Sequence, residues 1–176
     1  MISIRKERPP DAAAREGLLD EAFGTLRRRK SSQRLREGRL PADDLAFVAT
    51  EGRRVIGTAR LWNIMCGSGQ RALLLGPVAV AGDCRKRGVG TALVHHALAA
   101  AQRHGHRAIV LVGDAAYYSR FGFSAERAAS LRIPGPFERH RLLGLELVPG
   151  ALRGARGLLR AVEGSMSHAD LAASAA

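Results

Sequence analysis

The chain has 176 residues, 46% of them hydrophobic and 25% charged, which fits one globular domain and excludes wholesale disorder. Its formal net charge is +12, and only three of the 28 cations are lysines (Lys6, Lys30 and Lys86), so arginine dominates. Arginine's planar fork suits phosphate and carboxylate, but codon bias in a GC-rich genome gives the same excess, so composition leaves an anionic ligand and plain bias both open. Two cysteines, Cys66 and Cys84, are too few for a zinc site or a disulfide framework and read as buried apolar residues. Met1 to Pro10 has no apolar core of a secretory signal, and no run approaches 18 apolar residues. The expected compartment is the cytoplasm.

Residues 2–5 alternate as a short first strand, and Pro9-Pro10-Asp11 punctuates, with Asp11 expected to cap the next helix. Residues 12–23 read as that helix. Residues 25–38 read as a second, very basic helix: seven cations and the single acid Glu37 lie between Leu26 and Leu40. Residues 45–50 and 55–64 form an antiparallel hairpin about the turn Glu51-Gly52-Arg53. Residues 72–80 are continuously apolar, as in a strand covered on both faces. A glycine- and arginine-rich loop, 82–90, opens a helix ending near His104, with Gly105 as its C-terminal glycine. Residues 108–112 read as a buried strand, 115–121 as a short helix, and 131–133 and 142–148 as late strands. The order gives an α/β (α+β) domain with a mixed, mostly antiparallel sheet, expected over residues 1–164, and a C-terminal tail over 165–176.

The chemistry concentrates where the long strand runs into the glycine loop. Free backbone N–H groups at a helix start bind anions, and glycine lets the anion approach closely. The residues after Gly88 fail the Walker pattern, and Leu93 stands where a dinucleotide fingerprint needs its third glycine. Arg85-Lys86-Arg87-Gly88-Val89-Gly90-Thr91 instead resembles the acyl-CoA pyrophosphate loop of the GNAT superfamily of N-acetyltransferases. Gly113-Asp114-Ala115-Ala116-Tyr117-Tyr118-Ser119-Arg120-Phe121-Gly122-Phe123 resembles a second element of that family. The order of elements over residues 2–148 is similar to its whole fold.

The resemblance implies an acetyl-CoA-dependent transfer of an acyl group to a primary amine by direct attack, with acetyl-CoA as co-substrate and no metal. It implies splayed central strands. The backbone of Val78, Ala79 and Val80 would pair with the pantetheine arm, and an N–H there, that of Val80, would face the thioester oxygen. The N–H groups of Lys86, Arg87, Gly88, Val89, Gly90 and Thr91 would hold the pyrophosphate, with side-chain charge from Arg85, Lys86 and Arg87. Tyr118, four residues before Gly122, occupies the position of the family's general acid. Many relatives carry a glutamate base on the central strand, but residues 72–80 hold no acid. That leaves water, Asp114, His95, His96 or His140 as the base. The first helices, hairpin and last strands would shape the acceptor site, bringing Arg27 to Lys30 and Arg139 to Arg141 toward it. A cationic rim suits an acceptor bearing carboxylate or phosphate, and also an aminoacyl-tRNA, as in toxins of this superfamily. A small amine, a peptide N-terminus and a lysine stay open as acceptors, a homodimer is expected from the resemblance, and a non-catalytic module binding CoA or nucleic acid is the competing reading.

Overall fold

A computed structural model describes residues 1–162. Residues 163–176, which include the end of the expected domain and the whole expected tail, lie outside the described residues. In chain order the elements are β1 (Ile2–Lys6), α1 (Ala12–Phe23), β2 (Ala46–Glu51), β3 (Arg54–Met65), β4 (Arg71–Val80), α2 (Val89–Arg103), β5 (Ala108–Val112), α3 (Ala115–Tyr118), β6 (Leu131–Arg132), β7 (Leu142–Glu146), β8 (Gly157–Leu158) and β9 (Arg160–Ala161).

The main sheet runs β1-β2-β3-β4-β5-β7, with β9 added at one end of β3. Every pair in it is antiparallel except β4 with β5. Both faces are covered, which is why β4 reads as one apolar run. Leu73 and Leu75 pack with Leu93, Val94 and Ala97 of α2 and with Leu18 of α1. Leu74, between them, points to the opposite face and packs with Trp62, Val110, Leu131, Leu152 and Leu159. Helix α2 lies close against β3 because position 57 is glycine: a Cβ there would stand 2.8 Å from Leu93 Cδ1 and 3.2 Å from Val89 Cγ1.

Two expectations change, for the basic segment and for Asp11. The basic segment is not a helix but two 3-10 turns, Thr25–Arg29 and Ser31–Leu35, separated by extended Lys30. Its sequence has no apolar stripe to bury, since Leu26 is 64% exposed, and like charges at helical spacing oppose a continuous helix. Leu35 alone anchors it in the core. Asp11 does not cap α1 with its side chain. Its carboxylate is held by Arg5 (2.7 and 2.9 Å) and by the N–H of Arg8 (2.7 Å), tying β1 to the turn before α1. The stretch after Pro149 returns to the molecule: β8 pairs with β6, β9 pairs with β3, and Leu159 is fully buried.

Two features open the sheet where chemistry is expected. Strand β4 pairs with β5 only at Leu73↔Ile109 and Leu74↔Val110, while β4 continues to Val80. Strand β5 stays paired with β7 along its whole length, so it diverges from β4 and leaves a cleft between them. Peptide Gly76-Pro77, at the mouth of this cleft, is cis.

Candidate active site

Strand alternation fixes what β4 offers to the cleft. The N–H of Ala81 donates to Ile56 O (2.9 Å), so Ala79 and Ala81 face β3. The N–H groups of Val78 and Val80 therefore point the other way, toward the gap left by β5. They have the direction needed to pair with an extended ligand lying as an extra strand.

At the far end of β4 the chain turns through Gly82–Cys84 into residues 85–88 and then α2. Lys86 (φ 62°) and Gly88 (φ 77°) are left-handed, which curls the loop so that successive N–H groups converge. Among the described residues, the backbone N–H groups of residues 86–91 make no hydrogen bond within the chain; the first helical bond is Ala92 N–H to Gly88 O, 2.9 Å. Such a row of donors at the positive end of a 15-residue helix is able to hold an anion such as phosphate. The loop's side chains divide their work. Arg87 grips Glu51 (2.7 and 3.3 Å) and touches Cys84 Sγ, so its charge is already balanced and its pKa is raised by that carboxylate. Arg54 holds Asp83 (2.7 and 2.9 Å), staking down the loop's start. Arg85 and Lys86 are exposed and without a carboxylate partner among the described residues, leaving them for a ligand.

The aromatic pair on α3 splits. Tyr117 turns toward α2: its hydroxyl lies 3.2 Å from Thr91 Oγ1, and Arg120 stacks on its ring at 4.4 Å. Tyr118 turns toward β4, between Phe121 and Phe123 on one side and Gly113 on the other. A Cβ at position 113 would stand 2.6 Å from the Tyr118 ring, so glycine there is what lets the ring lie flat on the end of β5. Burial pushes the Tyr118 phenol up to about 12; Tyr117 adds to the rise and Arg141 opposes it.

Tyr118 opens onto a cavity of about 810 Å³, lined by Leu74 to Val78, Val112 to Asp114, the basic turns around Lys30 and the Ile133–Arg141 loop. Of the bases considered, Asp114 alone reaches this cavity. One of its oxygens accepts from Ala116 N–H (3.0 Å), capping α3. His95, exposed on α2, lies edge-on to Phe121 (4.9 Å), and the half-buried His96 lies edge-on to Phe47 (4.7 Å), where burial lowers its pKa. His140 sits on Glu138 at the surface (3.3 Å). Arg27 is engaged by Glu16 and Asp20, and Arg139 by three backbone carbonyls, so neither is free for an acceptor. The sequence reading overlooked Arg36, which reaches the cavity from the second basic turn, and Gly113, which seats Tyr118. Among the described residues no three His, Cys, Asp or Glu side chains are grouped to hold a metal, and no helix is long and apolar enough to cross a membrane.

The sequence and the fold have known relatives. Residues 13–123 match the Acetyltransferase (GNAT) family. The chain belongs to the GNAT family. It is 32% identical over 162 residues to the uncharacterized N-acetyltransferase YhbS of Escherichia coli, across 89% of this chain and 93% of that protein. The crystal structure of YhbS in complex with CoA superposes with a TM-score of 0.78 at 31% identity, covering 92% of this chain and 90% of that one. A GNAT acetyltransferase from Brucella melitensis, solved with acetyl-CoA, gives 0.66 at 26% identity, covering 97% and 99%. Membership of the GNAT family selects an acetyltransferase over a mere binding module.

Proposed function

We propose that this GNAT acetyltransferase moves an acetyl group from acetyl-CoA to a primary amine by direct attack. The observation that carries the reading is the fork between β4 and β5, which joins the free N–H row of residues 86–91 to the hydroxyl-bearing cavity at Tyr118. The residues fit acetyl-CoA: phosphates suit the loop, and an amide-bearing arm suits the outward N–H groups of Val78 and Val80. When bound, acetyl-CoA supplies a thioester carbonyl open to attack.

The chain's own groups then have distinct tasks. Val78, which lines the cavity beside Tyr118, offers its N–H to the oxygen that gains negative charge as the amine adds. That assigns the oxygen to Val78 and leaves Val80, deeper along the strand, to pair with the arm. One such preorganised donor is worth about 10²–10³ in rate. Tyr118 donates its hydroxyl hydrogen bond to the departing sulfur. With the phenol near 12 and a free thiol near 8.5, complete transfer to the thiolate is uphill by roughly 3.5 units, about 5 kcal/mol. The hydroxyl therefore acts as a donor whose proton moves only as sulfur leaves, and it stays protonated across the neutral range. The capping bond leaves Asp114 a second oxygen, which takes the amine's proton, directly or through water.

Tyr118→Phe tests the assignment. The account expects kcat to fall by about 10²-fold or more with acetyl-CoA affinity unchanged. Unchanged kcat would remove Tyr118 from the mechanism.

A further inference from the structure

The cavity beside Tyr118 is unbalanced in charge, and the imbalance is local. Its walls carry the cations Arg27, Arg29, Lys30, Arg36 and Arg141 beside the acids Asp114 and Glu138. Asp114 is spent partly on its helix cap, and Glu138 faces His140. Arg27 is already paired with Glu16 and Asp20, whereas among the described residues Lys30, Arg36 and Arg141 have no carboxylate partner. Arg36 is held only by long bonds from its own turn, to Gln33 Oε1 and Ser32 Oγ at 3.4 Å each. Its Nη1 lies 3.5 Å from where a Cβ on Gly76 would stand, so the guanidinium is pressed against the cleft mouth. Burial pushes its pKa down to about 10, with Arg27 adding to the fall. Lys30 is lowered too, by burial and then by Arg141 and Arg36. Arg141 is also close enough to act on Tyr118. Arg36 and Arg141 thus both act on Lys30 across one cavity, an arrangement that an anion would relieve.

That anion is not the pyrophosphate. No residue of the 85–91 loop lines the cavity. A volume of about 810 Å³ falls in the range of small-molecule pockets.

Resting on the acetyltransferase reading above, we infer that the acceptor is a small primary amine that also carries an anionic group, carboxylate or phosphate, seated on Arg36, Lys30 and Arg141 with its amine toward Val78 and Tyr118. Arginine gives the bidentate contact and lysine the point charge.

The test compares matched acceptors with saturating acetyl-CoA: α-amino acids against their amides, and phosphoethanolamine against ethanolamine. The inference expects at least tenfold higher kcat/KM for the anionic member of a pair, and the pair that responds tells carboxylate from phosphate. Arg36→Met and the surface change Arg141→Met should each raise KM for that acceptor at least tenfold. Calorimetry with CoA present should show the same loss of acceptor affinity while acetyl-CoA affinity is retained. Arg36→Lys, which keeps the charge in place, should restore part of the loss and controls for misfolding. Equal use of neutral and anionic amines overturns the inference but not the acetyltransferase reading. So does acetylation confined to aminoacyl-tRNA and abolished by RNase. Failure of the protein to bind acetyl-CoA at all overturns the earlier reading instead.

Discussion

Tyr118 and Gly113 work as a unit. The ring lies where a Cβ on residue 113 would stand 2.6 Å away, and a rigid ring has no slack to give. Gly113→Ala should therefore displace the hydroxyl and lower kcat at least tenfold while leaving the phosphate loop and acetyl-CoA affinity intact, as steady-state kinetics and calorimetry would show. Asp114→Asn separates two roles, because asparagine caps a helix as well as aspartate does. An unchanged melting temperature with a lowered kcat/KM would support a proton acceptor; unchanged kcat/KM would leave Asp114 as a cap alone. The pH response of Asp11 follows from its partners. Arg5 first, and the Arg8 N–H, hold its pKa down to about 2, from an ordinary 3.8, against the opposing effect of burial. The stability this adds is present above about 3.8 and is lost as pH falls through about 2. Asp11→Asn should flatten that part of a stability-against-pH curve.

At the scale of elements, the readable parts are those with local physics. The 72–80 run, the glycine loop and the amphipathic helix after it carry their structure in adjacent residues, and all three stand where the spacing put them. The basic segment misled because a run of charge carries no periodicity that distinguishes a helix from successive 3-10 turns. Its tertiary roles were also invisible: Arg27 and Arg36 both line the cavity, but Arg27 is paired with Glu16 and Asp20 whereas Arg36 has no carboxylate partner among the described residues, and nothing in their local sequence separates them. The pairing of Arg87 with Glu51 joins residues 36 positions apart and could not be read from the loop. Helix α2 owes its position to Gly57 on one side and to Leu93 on the other. Leu93→Ala should cost about 2–5 kcal/mol of unfolding free energy, read by denaturant titration. Gly57→Val should be worse tolerated than its surface area suggests, because helix α2, which carries the proposed phosphate donors, would have to move.

Over the whole molecule, the fold places two positive regions at the two ends of one cleft. The donor row of residues 86–91 lies at the α2 end, and Lys30, Arg36 and Arg141 lie at the cavity end. The strands between them are neutral and apolar, from Leu74 to Val80. An excess of arginine that composition alone could not interpret is thus partly invested in ion pairs, such as Arg5–Asp11 and Arg54–Asp83, and partly left unpaired where ligands are expected. The β4–β5 fork is the feature on which every other assignment depends. It is tested most directly by thermal unfolding with and without acetyl-CoA, for the natural protein and for Gly88→Glu. The variant places a carboxylate beside the donor row and a side chain at φ 77°, so the ligand-induced shift, not the absolute melting point, is the quantity compared. At about 100 times the dissociation constant, acetyl-CoA should add roughly 2.7 kcal/mol to the natural protein. The account predicts that this shift vanishes in Gly88→Glu. An equal shift in both proteins, or none in a folded natural protein, would contradict it.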